Sequence, residues 1–301
     1  MKKFSLALII VLCLTMFLTA CGDKEPSKDG GNTDTNKPVA SNEGYFTWDS
    51  FETTKITGYT DEGLKQKELT IPEKCTAFGY AALKDNTNVE KVYFESDSIS
   101  LVGDMFSGCK ALVSIDLPNG ITEIPNGCFY SCESLQSITI PGSVEEIGRD
   151  AFYGCSSLKS VKLGSAVKEI KNKAFQNCSS LSNINLPSSL TTIGNYAFAY
   201  NDVLENTEIP NGVVSIGEWA FYNCHKLTKV ELPESLTELG TMAFTYCDNL
   251  VDIYLPASLT TIEKGSFGQK ENILNVYVKK GSAADSQYDN YNDGMMEKKY
   301  Y

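Results

Sequence analysis

The chain has 301 residues, 42% of them hydrophobic, and carries 38 acidic against 26 basic side chains, a formal net charge of -12. That balance argues against nucleic acid, which needs a concentrated basic face, and against purely electrostatic attachment to anionic lipid. The single histidine, His225, leaves few routes to acid–base or metal chemistry near neutral pH.

In chain order, Met1-Lys2-Lys3 precedes the uncharged apolar run FSLALIIVLCLTMFL from Phe4 to Leu18. A positive start followed by so short a run reads as a secretory leader rather than a permanent membrane helix. The run ends Leu18-Thr19-Ala20-Cys21, which resembles the lipobox of bacterial lipoproteins. The resemblance implies a signal peptide over residues 1–20, cleavage before Cys21, a diacylglyceryl group on its sulfur and an acyl group on its amine. Several buried acyl chains give stable anchoring where one is marginal. The plainer reading is an ordinary signal peptide with a chance cysteine. Residues 22–44 contain no large apolar side chain except Val39, so with the lipidated Cys21 that the resemblance implies, 21–44 are expected to be a disordered spacer. The expected localisation is extracellular, lipid-anchored to the outer face of the bacterial cytoplasmic membrane.

A 23-residue period follows, from about residue 66 to residue 278. Phe106, Phe129, Phe152, Phe175, Phe198, Phe221, Phe244 and Phe267 are evenly spaced, and Leu83 extends the series one step back. Six residues after each stands an apolar column typified by Leu135, Leu158 and Leu181. Nine after stands one typified by Ile138, Val161 and Ile184, broken by Thr207. Fixed self-similarity of this length means stacked supersecondary units that bury a continuous core. The stretch typified by LQSITIP alternates like a strand with one face inward, and its proline closes the strand. Glycine at 148, 194, 217 and 240 is expected to turn the chain into a short helical piece, AFxxC.

These motifs resemble the BspA-like class of leucine-rich repeats, typified here by CSSLSNINLPSSLTTIGNYAF. The resemblance implies a mainly β solenoid with short helical turns and one parallel strand per repeat. TTKITGYTDEGLKQKELTIP looks like the N-terminal cap of that class, placing a cap at 45–65 before a solenoid at 66–278. YVKKGSAADSQY and the polar residues to Tyr301 look like its C-terminal cap, at 279–301. End repeats need such covers because they otherwise expose apolar faces.

Six cysteines, Cys109, Cys132, Cys155, Cys178, Cys224 and Cys247, share one column, three after the phenylalanine. Stacked turns place neighbours close enough to bridge, and an extracellular address permits oxidation. Yet the column behaves like a small buried hydrophobe, with Asn86 and Asn201 replacing cysteine, so buried thiols are the preferred reading. No spacing supplies paired CxxC ligands; no zinc, other metal or cofactor is expected.

No motif supplies a catalytic centre, and the chain reads as non-enzymatic. Ser156 and Lys159 form an SxxK inside the repeat, where neighbouring units carry plain Ser or Asn. Asp289, Asp293 and Gly294 hint at a calcium loop, but Tyr291 and Tyr300 occupy ligand positions. His225 reads as a solvent-facing loop residue.

Recognition is left to irregular outward positions. On the strand face these are Tyr93, Lys162, Glu208, Glu231, Tyr254 and Tyr277, the last two stacked neighbours by register. Just after the phenylalanine come Tyr130, Tyr153 and Tyr222, with Trp219 two before Phe221. Tyrosine and tryptophan bury area at low entropy cost, although the same rings can serve only to shield neighbouring turns. The family resemblance implies a surface-displayed module that adheres to a host matrix or cell-surface protein, touching membrane through its lipid alone. Glycan or nutrient capture is the alternative, and a hydrolase a distant third. Thr207, beside Asn201, marks the expected weak turn.

Overall fold

The structure is a computed structural model that describes residues 43–301 except 206, 264, 269–272 and 293. The leader, most of the spacer and Cys21 lie outside the described residues. No helix among the described residues is long and apolar enough to cross a membrane.

The chain winds as a parallel β-solenoid. The expected strand appears as Ser137–Thr139, Ser160–Lys162 and Asn183–Asn185, paired in parallel so that Ile138, Val161 and Ile184 align. Each pairing steps by one repeat, so every inward column of the sequence becomes a line of buried side chains. A second strand, not anticipated, follows the corner in most turns, although not in the one after Lys91–Phe94. Seven of these two-residue strands, from Glu123–Ile124 to Thr261–Ile262, form one unbroken sheet. The first sheet is divided into three parts. One begins at Glu68–Ile71, a second ends at Asn183–Asn185, and a third begins at Lys229–Glu231.

On the third side, the AFxxC piece is a run of tight turns rather than a helix. Tyr130 N–H bonds the Gly127 carbonyl at 2.9 Å and Cys132 N–H bonds that of Phe129 at 3.2 Å. The alternate amides point to the next turn instead: Phe129 N–H reaches the Ala151 carbonyl at 2.8 Å and Ser131 N–H that of Tyr153 at 2.7 Å. This satisfies every second donor between turns. It also requires left-handed backbone two residues before and two after the phenylalanine. Gly127 (φ 65) and Gly154 (φ 72) suit it, and Ser131 (φ 54), Asp150 (φ 55) and Asn177 (φ 60) tolerate it. A bulkier residue there costs on the order of 1–3 kcal/mol.

The glycines expected to turn the chain serve closeness instead. A Cβ on Gly240 would lie 2.4 Å from the Glu218 nitrogen, and one on Gly217 2.3 Å from Asn195 Oδ1. The core is a file of phenylalanines. From Phe106 to Phe244 the rings stack at 5.1–5.6 Å within 15° of parallel, all buried. Such stacking adds to the area term that drives burial.

At the start, Phe46–Trp48 runs antiparallel to Lys55–Tyr59, which pairs in parallel with Ala77–Phe78. At the far end, the short helices Ala283–Ser286 and Tyr288–Tyr291 precede Met296–Tyr300, a strand parallel to Leu274–Val278. Tyr291 packs edge-on against Phe267 at 6.0 Å, placing an aromatic over the end of the file.

Candidate binding surface

The outward residues singled out in the sequence fall on two different sides. On the first sheet, Tyr254 and Tyr277 face each other in register and stack at 4.3 Å, 7° from parallel. Tyr301 meets Tyr254 edge-on at 5.7 Å, and its hydroxyl donates to the Leu255 carbonyl at 2.8 Å. Lys229 Nζ lies 5.2 Å above the Tyr254 ring and donates to Glu231, so aromatic, cation and carboxylate touch. Lys279 pairs with Glu234 beside Tyr301.

Next to this group the first sheet is interrupted. Thr207 and Glu208 are in no strand, and an open groove of about 590 Å³ is lined there by Glu208, Ile209, Asn211, Lys229, Glu231 and Pro233, among others. Thr207 is buried with an unpartnered hydroxyl, and Asn201 Oδ1 is likewise unpartnered. The structure therefore gathers Glu208, Glu231, Tyr254 and Tyr277 at one end. Tyr93, on Lys91–Phe94, lies seven repeats earlier, which at roughly 4.8 Å per strand is too far to share one small ligand. Lys162 is exposed between them on Ser160–Lys162.

Tyr130, Tyr153 and Tyr222 lie on the turn edge. Tyr130 and Tyr153 stack at 4.9 Å. Tyr222 joins a cluster that sequence reading caught only through Trp219. Trp219 meets it edge-on at 4.7 Å, Tyr200 at 5.3 Å and Tyr246 at 5.2 Å, while Tyr196 stacks on Trp219 at 5.7 Å. The signal was present at fixed offsets from the phenylalanines, but only the left-handed turns bring those offsets onto one edge. Tyr196, Tyr200, Trp219 and Tyr246 all hold φ between 57° and 61°. An aromatic pair returns about 0.5–1.5 kcal/mol beyond its area, no more than the strain of holding such a residue left-handed.

The cysteine column is a ladder of buried thiols. Cys109, Cys132, Cys155 and Cys178 each donate S–H to the backbone carbonyl 26 residues back at 3.2 Å. Burial pushes the thiols of Cys109 and Cys155 up to about 12 and the others of the column that titrate in this way well above the usual range. They are poor nucleophiles and poor metal ligands at neutral pH. Among the described residues, no three His, Cys, Asp or Glu side chains are placed to hold a metal ion.

His225 is half-exposed, its Nδ1 2.6 Å from Asp248 Oδ2 one repeat later. Lys110 and Glu133 make the same cross-turn pair in the same column at 2.8 Å, so the histidine fills a structural role. Ser156 donates to the Glu133 carbonyl at 3.4 Å, a cross-turn bond. Asp289 lies in Tyr288–Tyr291, and Asp293 lies outside the described residues.

The chain is similar to the BspA type leucine rich repeat region, in 6 copies across residues 54–182 and 168–288. A comparison with curated proteins finds no match. Among solved structures it is similar to a leucine-rich repeat protein from Bacteroides ovatus, at 21% identity over 82% of this chain and 95% of that one, TM-score 0.45. It is also similar to a leucine rich cell surface protein from Faecalibacterium prausnitzii, at 20% identity over 85% and 98%, TM-score 0.38. The pneumococcal vaccine antigen PcpA is similar at 17% identity over 77% and 79%, TM-score 0.42.

Proposed function

We propose that this chain, which belongs to the BspA-type leucine-rich repeat family, is a surface-displayed adhesion module that binds an extracellular protein through the outward face of its first sheet. One observation carries the reading. Tyr254 and Tyr277 stack outward on adjacent strands, with Lys229 over the ring and Glu208 and Glu231 beside an open groove. An aromatic centre inside a polar rim is the arrangement that concentrates binding energy at protein interfaces. The leader and Cys21 support lipid-anchored display, with residues 21–44 as the tether. Residues 45–65 and 279–301 then serve as caps of a solenoid spanning 66–278.

The test is binding of the purified chain to a panel of extracellular-matrix and cell-surface proteins. The double variant Tyr254→Ser/Tyr277→Ser should weaken any binding about tenfold or more, the loss of an interface anchor. Undiminished binding by that variant would remove this surface from consideration. Because the rim is charged, affinity for a basic partner should also fall with salt.

A further inference from the structure

A second surface, independent of the first sheet, runs along the turn edge. Tyr196, Tyr200, Trp219, Tyr222 and Tyr246 form one connected group of rings across three successive turns. All five are partly accessible, and Tyr200 is 38% exposed. Four of them stand at left-handed positions, which elsewhere in the same two columns hold Gly, Asn, Asp, Ser, Ala, Lys and Met. Each of these four rings is held on a backbone that glycine would accept without strain. The left-handed backbone recurs along both columns, but among the described residues aromatic side chains occupy it only in these three turns, and that concentration of partly accessible rings marks the place.

The chemistry around the rings identifies the ligand class. Lys173 Nζ lies 6.0 Å over Tyr196, Asn223 donates to Asp202 at 3.3 Å, and Asn195 accepts the Glu218 amide at 2.9 Å. Aromatic faces interleaved with amides and carboxylates suit a ligand whose C–H face stacks while its hydroxyls donate and accept. The aromatic group spans turns spaced about 4.8 Å apart, a repeating platform for a repeating ligand. A net charge of -12 opposes a polyanionic chain. We infer that the turn edge around Trp219 and Tyr222 binds a neutral oligosaccharide, apart from any protein bound at Tyr254 and Tyr277.

The chain has two tryptophans, so Trp48→Phe leaves Trp219 as the single emitter. That protein is titrated with neutral hexasaccharides of glucose, N-acetylglucosamine, mannose and xylose, with a sulfated hexasaccharide as control. The expected result is a saturable change in Trp219 emission with at least one neutral chain and none with the sulfated one, insensitive to salt. Tyr200→Gly and Tyr246→Gly should each weaken that binding about tenfold or more, yet melt no lower than the parent, because glycine accepts the left-handed backbone. If either glycine variant fails to fold, Tyr200→Asn and Tyr246→Asn replace them, since asparagine already stands in that column at 177 and 223. Tyr254→Ser should bind the saccharide unchanged, which separates this site from the first sheet. No saturable binding to any neutral hexasaccharide, or equal affinity in the glycine or asparagine variants, would overturn the assignment. So would preference for the sulfated chain.

Discussion

The thiol of Cys132 donates to the backbone carbonyl of Phe106, 3.2 Å away and 26 residues earlier. The bond crosses from one turn to the phenylalanine of the turn before. It recurs along the column, and where cysteine gives way to Asn201, the side-chain amide donates to Phe175 in the same way at 3.1 Å. The column thus needs a compact, buried donor. Cysteine meets that need at the least desolvation cost, because an S–H loses less on leaving water than an amide does.

Stability should therefore depend on pH on the alkaline side. The thiols of Cys109 and Cys155 stand near 12 in the fold, against about 8.5 in an unfolded chain. The folded state holds these protons where the unfolded state releases them. Stability is complete below about pH 8.5 and declines as pH rises toward 12, by up to about 1.4 kcal/mol per unit for each such thiol. Urea midpoints should be level between about pH 7 and 8 and fall above about 9, less steeply in Cys155→Ala. The same steepness in that variant would mean that the thiols are not its source.

Thr207 stands in a column otherwise filled by Ile and Val, its buried hydroxyl unpartnered where the first sheet is divided. Thr207→Val keeps the shape and removes the stranded polar group. It should gain about 1 kcal/mol in urea unfolding. A loss would show that the hydroxyl is bonded in solution.

Phe175 lies between Phe152 at 5.1 Å and Phe198 at 5.5 Å, with no exposed surface. Phe175→Ala should cost about 3–5 kcal/mol, from lost transfer energy and the cavity left in the file. Wild-type stability would contradict the inward placement of the column.

Ala81 holds φ 52 two residues before Leu83 of the phenylalanine column, and Gly154 holds φ 72 two residues after Phe152. Ala81→Gly should raise stability by a few tenths to about 1 kcal/mol, strain relief exceeding the entropy glycine restores to the unfolded chain. Gly154→Ala should lower it by about 1 kcal/mol or more, since its Cβ would also come 3.3 Å from Ser131 Oγ. Thermal melts of the pair should move in opposite directions.

Side-chain periodicity alone determined the solenoid, its repeat length and its buried columns. Every phenylalanine of the file, each ladder cysteine and the pairing of Tyr254 with Tyr277 were legible there. In a stack of equal turns, residues one repeat apart must be neighbours, so spacing along the chain converts directly into contact. The rest depends on where the backbone sends its hydrogen bonds between turns, which no column of side chains records. The second strand at Glu146–Ile147 and its equivalents, the close approach at Gly240, and the left-handed turns beside each phenylalanine are decided by that pairing. So is the joining of Tyr196, Tyr200, Trp219, Tyr222 and Tyr246 into one connected group. Their offsets from the phenylalanine already separate Tyr222 from Tyr254 in the sequence, but which rings meet Tyr222 on the turn edge follows from the left-handed turns. Only the winding of the backbone decides which side of the coil each offset from the phenylalanine reaches.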